Sequence, residues 1–262
     1  MAGLWCIVDT MTAVREAAGR LREATATGTP CAPVRDLIDR DDVVTAYAVQ
    51  RLLTEERVAA GGVVAGRKIG LTSPAVQQQL GVDRPDFGVL FADMEIPDGG
   101  PVPHERLLQP RVEAEVAFVL GQDVVAGVHV RDAVEYMVAA LEIVDSRIAG
   151  WDISFGDTVA DNASSGLFVL GRTRVPLSAV EPIDVRMTMW LDDDVVSEGT
   201  GAACLGDPLA ALAWLAETAR DLGDPLRAGQ VVLSGALGPM VALPPGAKVR
   251  TSLTGLGDVS CC

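Results

Sequence analysis

The sequence predicts an α+β protein, with a small helical N-terminal part over residues 11–65 followed by a β-rich domain over 66–262. Three observations carry this expectation. Apolar residues recur at helical spacing as far as Ala60, short apolar runs broken by Gly, Pro and Asp take over after Gly66, and the elements do not alternate as strand–helix–strand units. A chain of 262 residues can bury a substantial core in one large domain, so no further division is required.

The helical part reads as two segments. One runs from Met11 to about Ala24. The other spans Asp41 to Ala60, with Val44, Ala48 and Leu52 four residues apart, Asp41 as its cap and Gly61-Gly62 as its end. Met11 is the expected start of the ordered chain, and the first ten residues are expected to be a flexible extension. They lack the basic start and long apolar region of a signal peptide.

Past Gly66, the run Arg111-Val-Glu-Ala-Glu-Val-Ala-Phe-Val-Leu120 reads as a strand. Side chains alternate faces in a strand, so Glu113 and Glu115 share one face while Val112, Ala114, Val116 and Phe118 take the other. Val134, Met137, Val138 and Leu141 fall at helical spacing behind Asp132 and predict a helix over 132–141. Alternation over 183–191 predicts a strand that turns at Asp192-Asp193-Asp194 into a return strand beginning with Val195 and Val196. Asp207-Pro208 opens a helix that Gly223 closes. Gln230 to Leu233 and Lys248 to Leu253 are further short strands on either side of a Gly/Pro-rich loop.

The formal net charge of −15 would repel nucleic acid and anionic lipid headgroups, so neither is an expected partner. An anionic substrate would need local positive charge. Five scattered cysteines, without the spacing of a metal site or a disulfide framework, suit a reducing cytoplasm. No stretch approaches the roughly 20 apolar residues needed to span a bilayer.

Two buried carboxylates on one strand face are costly unless a hard cation holds them, and Glu142, just past the apolar stripe of 132–141, is the natural third ligand. Three carboxylates suit Mg²⁺ or Mn²⁺, whereas zinc favours histidine or cysteine. The residues also admit a plainer reading, in which Glu113 and Glu115 lie on the wet face of an edge strand and Glu142 pairs with Arg147. Spacing alone leaves both open.

A second cluster, Gly66-Arg-Lys-Ile-Gly-Leu-Thr-Ser73 and the turn-rich segment from Gly81 to Asp93, places Lys68 between glycines and Asp86 on a Pro/Gly turn. Lys68 either has a lowered pKa or pairs with a substrate carboxylate, and Asp86 can exchange protons. Snorkelling and turn capping are the structural alternatives. The polar segment Gly156 to Gly166 offers Ser164 and Ser165 as hydroxyl donors in a ligand-contacting loop. Neither His104 nor His129 has the context of a catalytic triad, and no phosphate-binding glycine motif is present.

Taken together, GRKIGLTSPAVQQQLGVDRPDFGVLFADM, PRVEAEVAFVLG, ALEIVDSRI, DTVADNASSG and LSGALGPMV resemble the 2-keto-4-pentenoate (2-hydroxypenta-2,4-dienoate) hydratase family, from about Met11 onward. The resemblance implies the β-rich barrel-like roll of the fumarylacetoacetate hydrolase C-terminal domain. It implies metal ligation by Glu113, Glu115 and Glu142, catalytic roles for Lys68 and Asp86, and substrate contacts from Ser164 and Leu71. Asp207 stands where similar sequences often carry histidine, and an N-cap role suffices for it.

The implied activity is Mg²⁺- or Mn²⁺-dependent addition of water to a small anionic 2-hydroxydienoate in the meta-cleavage catabolism of aromatic compounds. A homo-oligomer built on a pentameric ring and association with the downstream aldolase are implied as well. A 4-oxalocrotonate decarboxylase is the nearest alternative; an acylpyruvate-type hydrolase and a noncatalytic partner subunit follow.

Overall fold

In a computed structural model of the protein, residues 2–73, 77–78 and 84–262 are described, with backbone alone before residue 10. Gly81 to Asp83 of the turn-rich segment lie outside the described residues.

Helix α1 (Ala2–Thr27) packs against α2 (Val43–Ala59). α1 includes the stretch expected as an extension before Met11, since no proline and only Gly3 interrupts it. Asp42 rather than Asp41 caps α2, accepting from the Thr45 N–H at 3.0 Å and from the Thr45 hydroxyl at 2.6 Å. Val14, Ala17, Leu21, Ala46 and Val49 of these helices bury against Ile148, Phe155 and Val159, forming a second, smaller core.

The larger core lies on the main sheet, whose strands run in the order β2 (Asp86–Phe91), β1 (Val64–Gly70), β9 (Val231–Ala236), β4 (Arg111–Leu120), β5 (Val134–Val144), β6 (Ser165–Leu170) and β3 (Glu95–Ile96). The short β10 (Val241–Ala242) also pairs with β4. Pairing is antiparallel except for β1 with β9 and β3 with β6. A second sheet orders β12 (Gly257–Cys261), β11 (Val249–Leu253), β7 (Arg186–Leu191) and β8 (Asp194–Thr200). The expected hairpin at Asp192 to Asp194 joins β7 to β8, although Pro182–Asp184 form a 3₁₀ turn, so the strand starts later than its alternation suggested.

One expectation is overturned. Residues 134–144 form a strand, not a helix; only Val130–Ala133 make a helical turn, α3. Nearly all of β5 from Met137 onward is buried on both faces, and such a strand carries a continuous apolar run whose accidental spacing mimics a helix. The remaining helices are α4 (Phe155–Ala160) and α5 (Pro208–Asp221), the latter capped by Asp207 through the Leu209 N–H at 2.9 Å. Among the described residues no helix is long and apolar enough to cross a membrane. Cys31, Cys204, Cys261 and Cys262 are free thiols.

Candidate active site and metal centre

The β4–β5 register sets Glu113 directly opposite Glu142, and Glu115 follows two residues along the same face. One oxygen from each of the three carboxylates lies within 4.8 Å of the others. Their exposures are 6%, 0% and 0%, which rules out the wet edge-strand reading. Arg147 does not pair with Glu142 either; it pairs with Asp161.

Only part of this buried charge is satisfied by protein. The Gly235 N–H donates to Glu115 Oε2 at 2.6 Å, while Glu115 Oε1 and both Glu142 oxygens accept no hydrogen bond from a described residue. Lys68 Nζ lies 3.0 Å from Glu142 Oε1, close enough for an ion pair but not aligned as a hydrogen bond. Burial, reinforced by the charge of Glu142, pushes Glu113 up to about 8 and Glu115 well above the usual carboxylate range. Orphaned buried carboxylate oxygens in an all-oxygen donor set fit a hard divalent cation.

Lys68 reaches this cluster from β1, where it pairs with Gly88 of β2 and Leu233 of β9. Burial alone would lower its pKa, but the charges of Glu142, Asp86 and Glu113 outweigh burial and hold it above its ordinary value. Surrounded by these carboxylates, Lys68 is held on the charged side of its titration rather than lowered.

Asp86 starts β2 opposite Gly70. A Cβ on Gly70 would stand 2.2 Å from Asp86 Oδ1, so glycine there leaves the carboxylate its place. The Thr158 hydroxyl donates to Asp86 Oδ2 at 3.2 Å, whereas Oδ1 has no hydrogen-bond partner among the described residues. Burial pushes Asp86 up to about 6 despite Lys68 and Thr158.

Lys68, Asp86 and Glu113 border a cavity of about 440 Å³, counting its open mouth. Leu71 and Ser164 line it, as expected. Both have left-handed backbones, with φ of 59° and 54°. Ser164 ends a run of three left-handed residues after Asn162 (54°) and Ala163 (50°), a conformation costly without glycine. Asn162 secures the run by pairing with the edge of β2: its Oδ1 accepts from the Val89 N–H at 2.7 Å and its Nδ2 donates to the Val89 carbonyl at 2.9 Å. The result is a buried Ser164 hydroxyl with no described partner in the cavity wall.

The fold thus gathers every residue expected at the site. Sequence reasoning missed Thr72, Trp151 and Thr158, which also line the cavity. Thr72 directly follows Leu71 and was within reach; Thr158 and Trp151 have no signal in their own neighbourhoods. Neither histidine lines the cavity.

A divalent-cation cluster on facing strands of a curled sheet, with a buried lysine against it, defines an enzyme of the fumarylacetoacetate hydrolase fold, and the family described as fumarylacetoacetate (FAA) hydrolase C-terminal matches residues 65–262. Within that fold the chain belongs to the 2-keto-4-pentenoate hydratase family. It is 54% identical to the 2-keto-4-pentenoate hydratase of Burkholderia vietnamiensis over 246 residues, covering 92% of this chain and 94% of that protein. It is 51% identical to the TodF product hydratase of Pseudomonas putida, covering 95% and 94%. Among solved structures, 4-oxalocrotonate decarboxylase from Pseudomonas putida G7, complexed with magnesium and adipate, superposes with a TM-score of 0.89 at 32% identity, covering 95% of this chain and 96% of that one.

Proposed function

We propose that the protein is a hydro-lyase that adds water to 2-hydroxypenta-2,4-dienoate, or a substituted analogue, to give 4-hydroxy-2-oxopentanoate in the meta-cleavage catabolism of aromatic compounds. The observation that carries this reading is the buried Glu113, Glu115 and Glu142 cluster, with orphaned oxygens, facing cationic Lys68. These glutamates would hold Mg²⁺ or Mn²⁺; the similar decarboxylase was solved in complex with magnesium. An ion held by these glutamates would supply Lewis-acid polarisation of the bound 2-oxo acid.

The remaining chemistry falls to side chains. The dienol loses its 2-hydroxyl proton and gains one at C5, leaving a 3-en-2-one. Water then bonds through oxygen to C4 while a proton ends on C3. Asp86 Oδ1, free of hydrogen bonds and close to neutrality, and the Lys68 ammonium are the proton carriers for these steps. Thr158 fixes Asp86 through Oδ2, leaving Oδ1 to react. The Ser164 hydroxyl is a donor to the substrate, and Leu71 supports the apolar tail.

The wall favours the hydratase over the decarboxylase. Among the described residues lining the cavity interior Lys68 is the sole cation, with Arg111 only at the mouth against Trp151, while Val144, Ile153 and Met240 present apolar surface, which suits one carboxylate and a hydrocarbon tail. The same reading includes a cytoplasmic homo-oligomer on a pentameric ring that associates with the product-consuming aldolase, checked by light scattering and co-purification.

The test follows the ultraviolet absorbance of freshly generated 2-hydroxypenta-2,4-dienoate, before and after chelation and Mg²⁺ readdition, with product mass. Metal-dependent loss of absorbance with the gain of one water is expected. Wild-type turnover by folded, metal-loaded Lys68→Met and Asp86→Asn variants would overturn the assigned roles, and CO₂ release from 2-oxohex-3-enedioate without hydration would replace the hydratase by the decarboxylase.

A further inference from the structure

Arg111 opens β4 directly opposite Val144, one same-face pair beyond Glu113 and Glu142. Opposed residues share a face of the sheet, and Val144 lines the cavity. Arg111 therefore rises from the cavity face, about 7 Å along the strand from Glu113. Its guanidinium carbon sits 4.7 Å from the centre of the Trp151 ring, which lines the same cavity. Trp151 is itself fixed, with a left-handed backbone (φ 58°) and its indole N–H donating to the Gln109 carbonyl at 3.1 Å.

Arg35, Arg57, Arg106, Arg131 and Arg147 are each neutralised by a carboxylate. Arg111 forms no ion pair with a described residue. Its charge is thus left beside the cavity in a protein whose net charge of −15 opposes any anionic substrate. Stacking suits arginine here, because a guanidinium keeps its charge and is weakly hydrated.

We propose that Arg111, stacked on Trp151, is the anion-capturing residue of the cavity mouth: it draws the substrate carboxylate past the rim and governs KM rather than kcat. This rests on the hydratase reading of the site. The captured carboxylate then passes to the floor of the cavity, and Arg111 is free for the next molecule.

The test compares Arg111→Met, Arg111→Lys and, as a control, Arg250→Met, whose guanidinium stacks on Trp190 in the other sheet. Arg111→Met should lower kcat/KM roughly tenfold at low ionic strength with kcat little changed, as loss of electrostatic steering does. Arg111→Lys should restore most of it, the deficit should shrink as salt rises, and Arg250→Met should match the wild type. Binding of 2-oxopentanoate, a saturated monoanion, with Mg²⁺ present should weaken by the same factor, so the inference is tested even where the dienoate is not turned over. Equal losses in kcat and kcat/KM that salt does not narrow would reduce Arg111 to a brace for Trp151. A defect confined to the six-carbon diacid would make it a distal-carboxylate binder. Either result overturns the proposal.

Discussion

The protein buries two sets of carboxylates, and they are treated differently. Asp157 and Asp161, in and just after α4, are 0% and 2% exposed, as deeply buried as the glutamates of β4 and β5. Asp157 accepts from the Val34 and Arg35 backbone N–H groups, the Ser154 N–H and hydroxyl, and the Arg35 guanidinium. Asp161 accepts from the Ser146 hydroxyl, the Arg147 N–H and the Arg147 side chain. Every oxygen in that set is hydrogen-bonded, whereas Glu115 and Glu142 leave three with no hydrogen bond from a described residue, one of them facing Lys68. Burial of charge alone does not mark a site; burial without donors does. The aspartates fasten the residues before α2 and the left-handed turn to the body of the fold. The glutamates are held ready for something the protein does not supply.

That contrast can be broken most sharply by paired amide substitutions. Asp157→Asn should cost about 1–3 kcal/mol in a denaturant melt, because an amide NH₂ replaces one of two buried acceptor oxygens and leaves its donors unmatched, while Arg35 keeps Asp152. Glu142→Gln should leave the metal-free protein folded while lowering kcat roughly a thousandfold, the equivalent of several kcal/mol of lost cation stabilisation. Equal destabilisation by the two changes would erase the distinction.

The pH dependence of the chelated protein sharpens it next. Folded Asp86 titrates at about 6 and Glu113 at about 8, both above their ordinary values because of burial. A raised carboxylate pKa contributes stability that is complete below the unfolded value and lost as pH rises through the folded one. Thermal melts should therefore weaken from about pH 4 through 6 to 8, and saturating Mg²⁺ should flatten the slope. A metal-free protein equally stable at pH 5 and pH 8 would contradict the unsatisfied state of the cluster.

The smallest expected effect comes from Thr158→Val, which removes the one side-chain hydrogen bond to Asp86 among the described residues. A hydrogen bond to a charged group is worth about 1.5 kcal/mol, so kcat should fall roughly tenfold, with Thr158→Ser close to wild type. A change in melting temperature without one in kcat would make Thr158 structural only.

The site was more legible in the sequence than the elements that carry it. Period-two alternation in Arg111–Leu120 revealed β4 and the shared face of Glu113 and Glu115, since an isolated acid pair inside an apolar strand leaves few other readings. Glu142 was identified from the wrong element: β5 is apolar on both faces, and its one-dimensional pattern does not separate a doubly buried strand from a helix. The left-handed turn escaped notice because Asn162, Ala163 and Ser164 include no glycine; it is held by tertiary hydrogen bonds to Val89 that no local propensity encodes. Thr158 and Trp151 reach the cavity only through packing that joins distant segments, as does the pairing of Arg147 with Asp161 rather than Glu142.

The position of β9 governs when this site can exist at all. β1 and β2 form one local hairpin carrying Lys68 and Asp86, β4 and β5 another carrying the three glutamates, and β9 is the strand between them. It arrives more than a hundred residues after both hairpins begin, and its parallel pairing with β1 is a long-range closure of the slow kind. During synthesis Lys68 and then the acidic hairpin emerge before the strand that sets them side by side, so their juxtaposition in the sheet waits until the chain through Ala236 has left the ribosome.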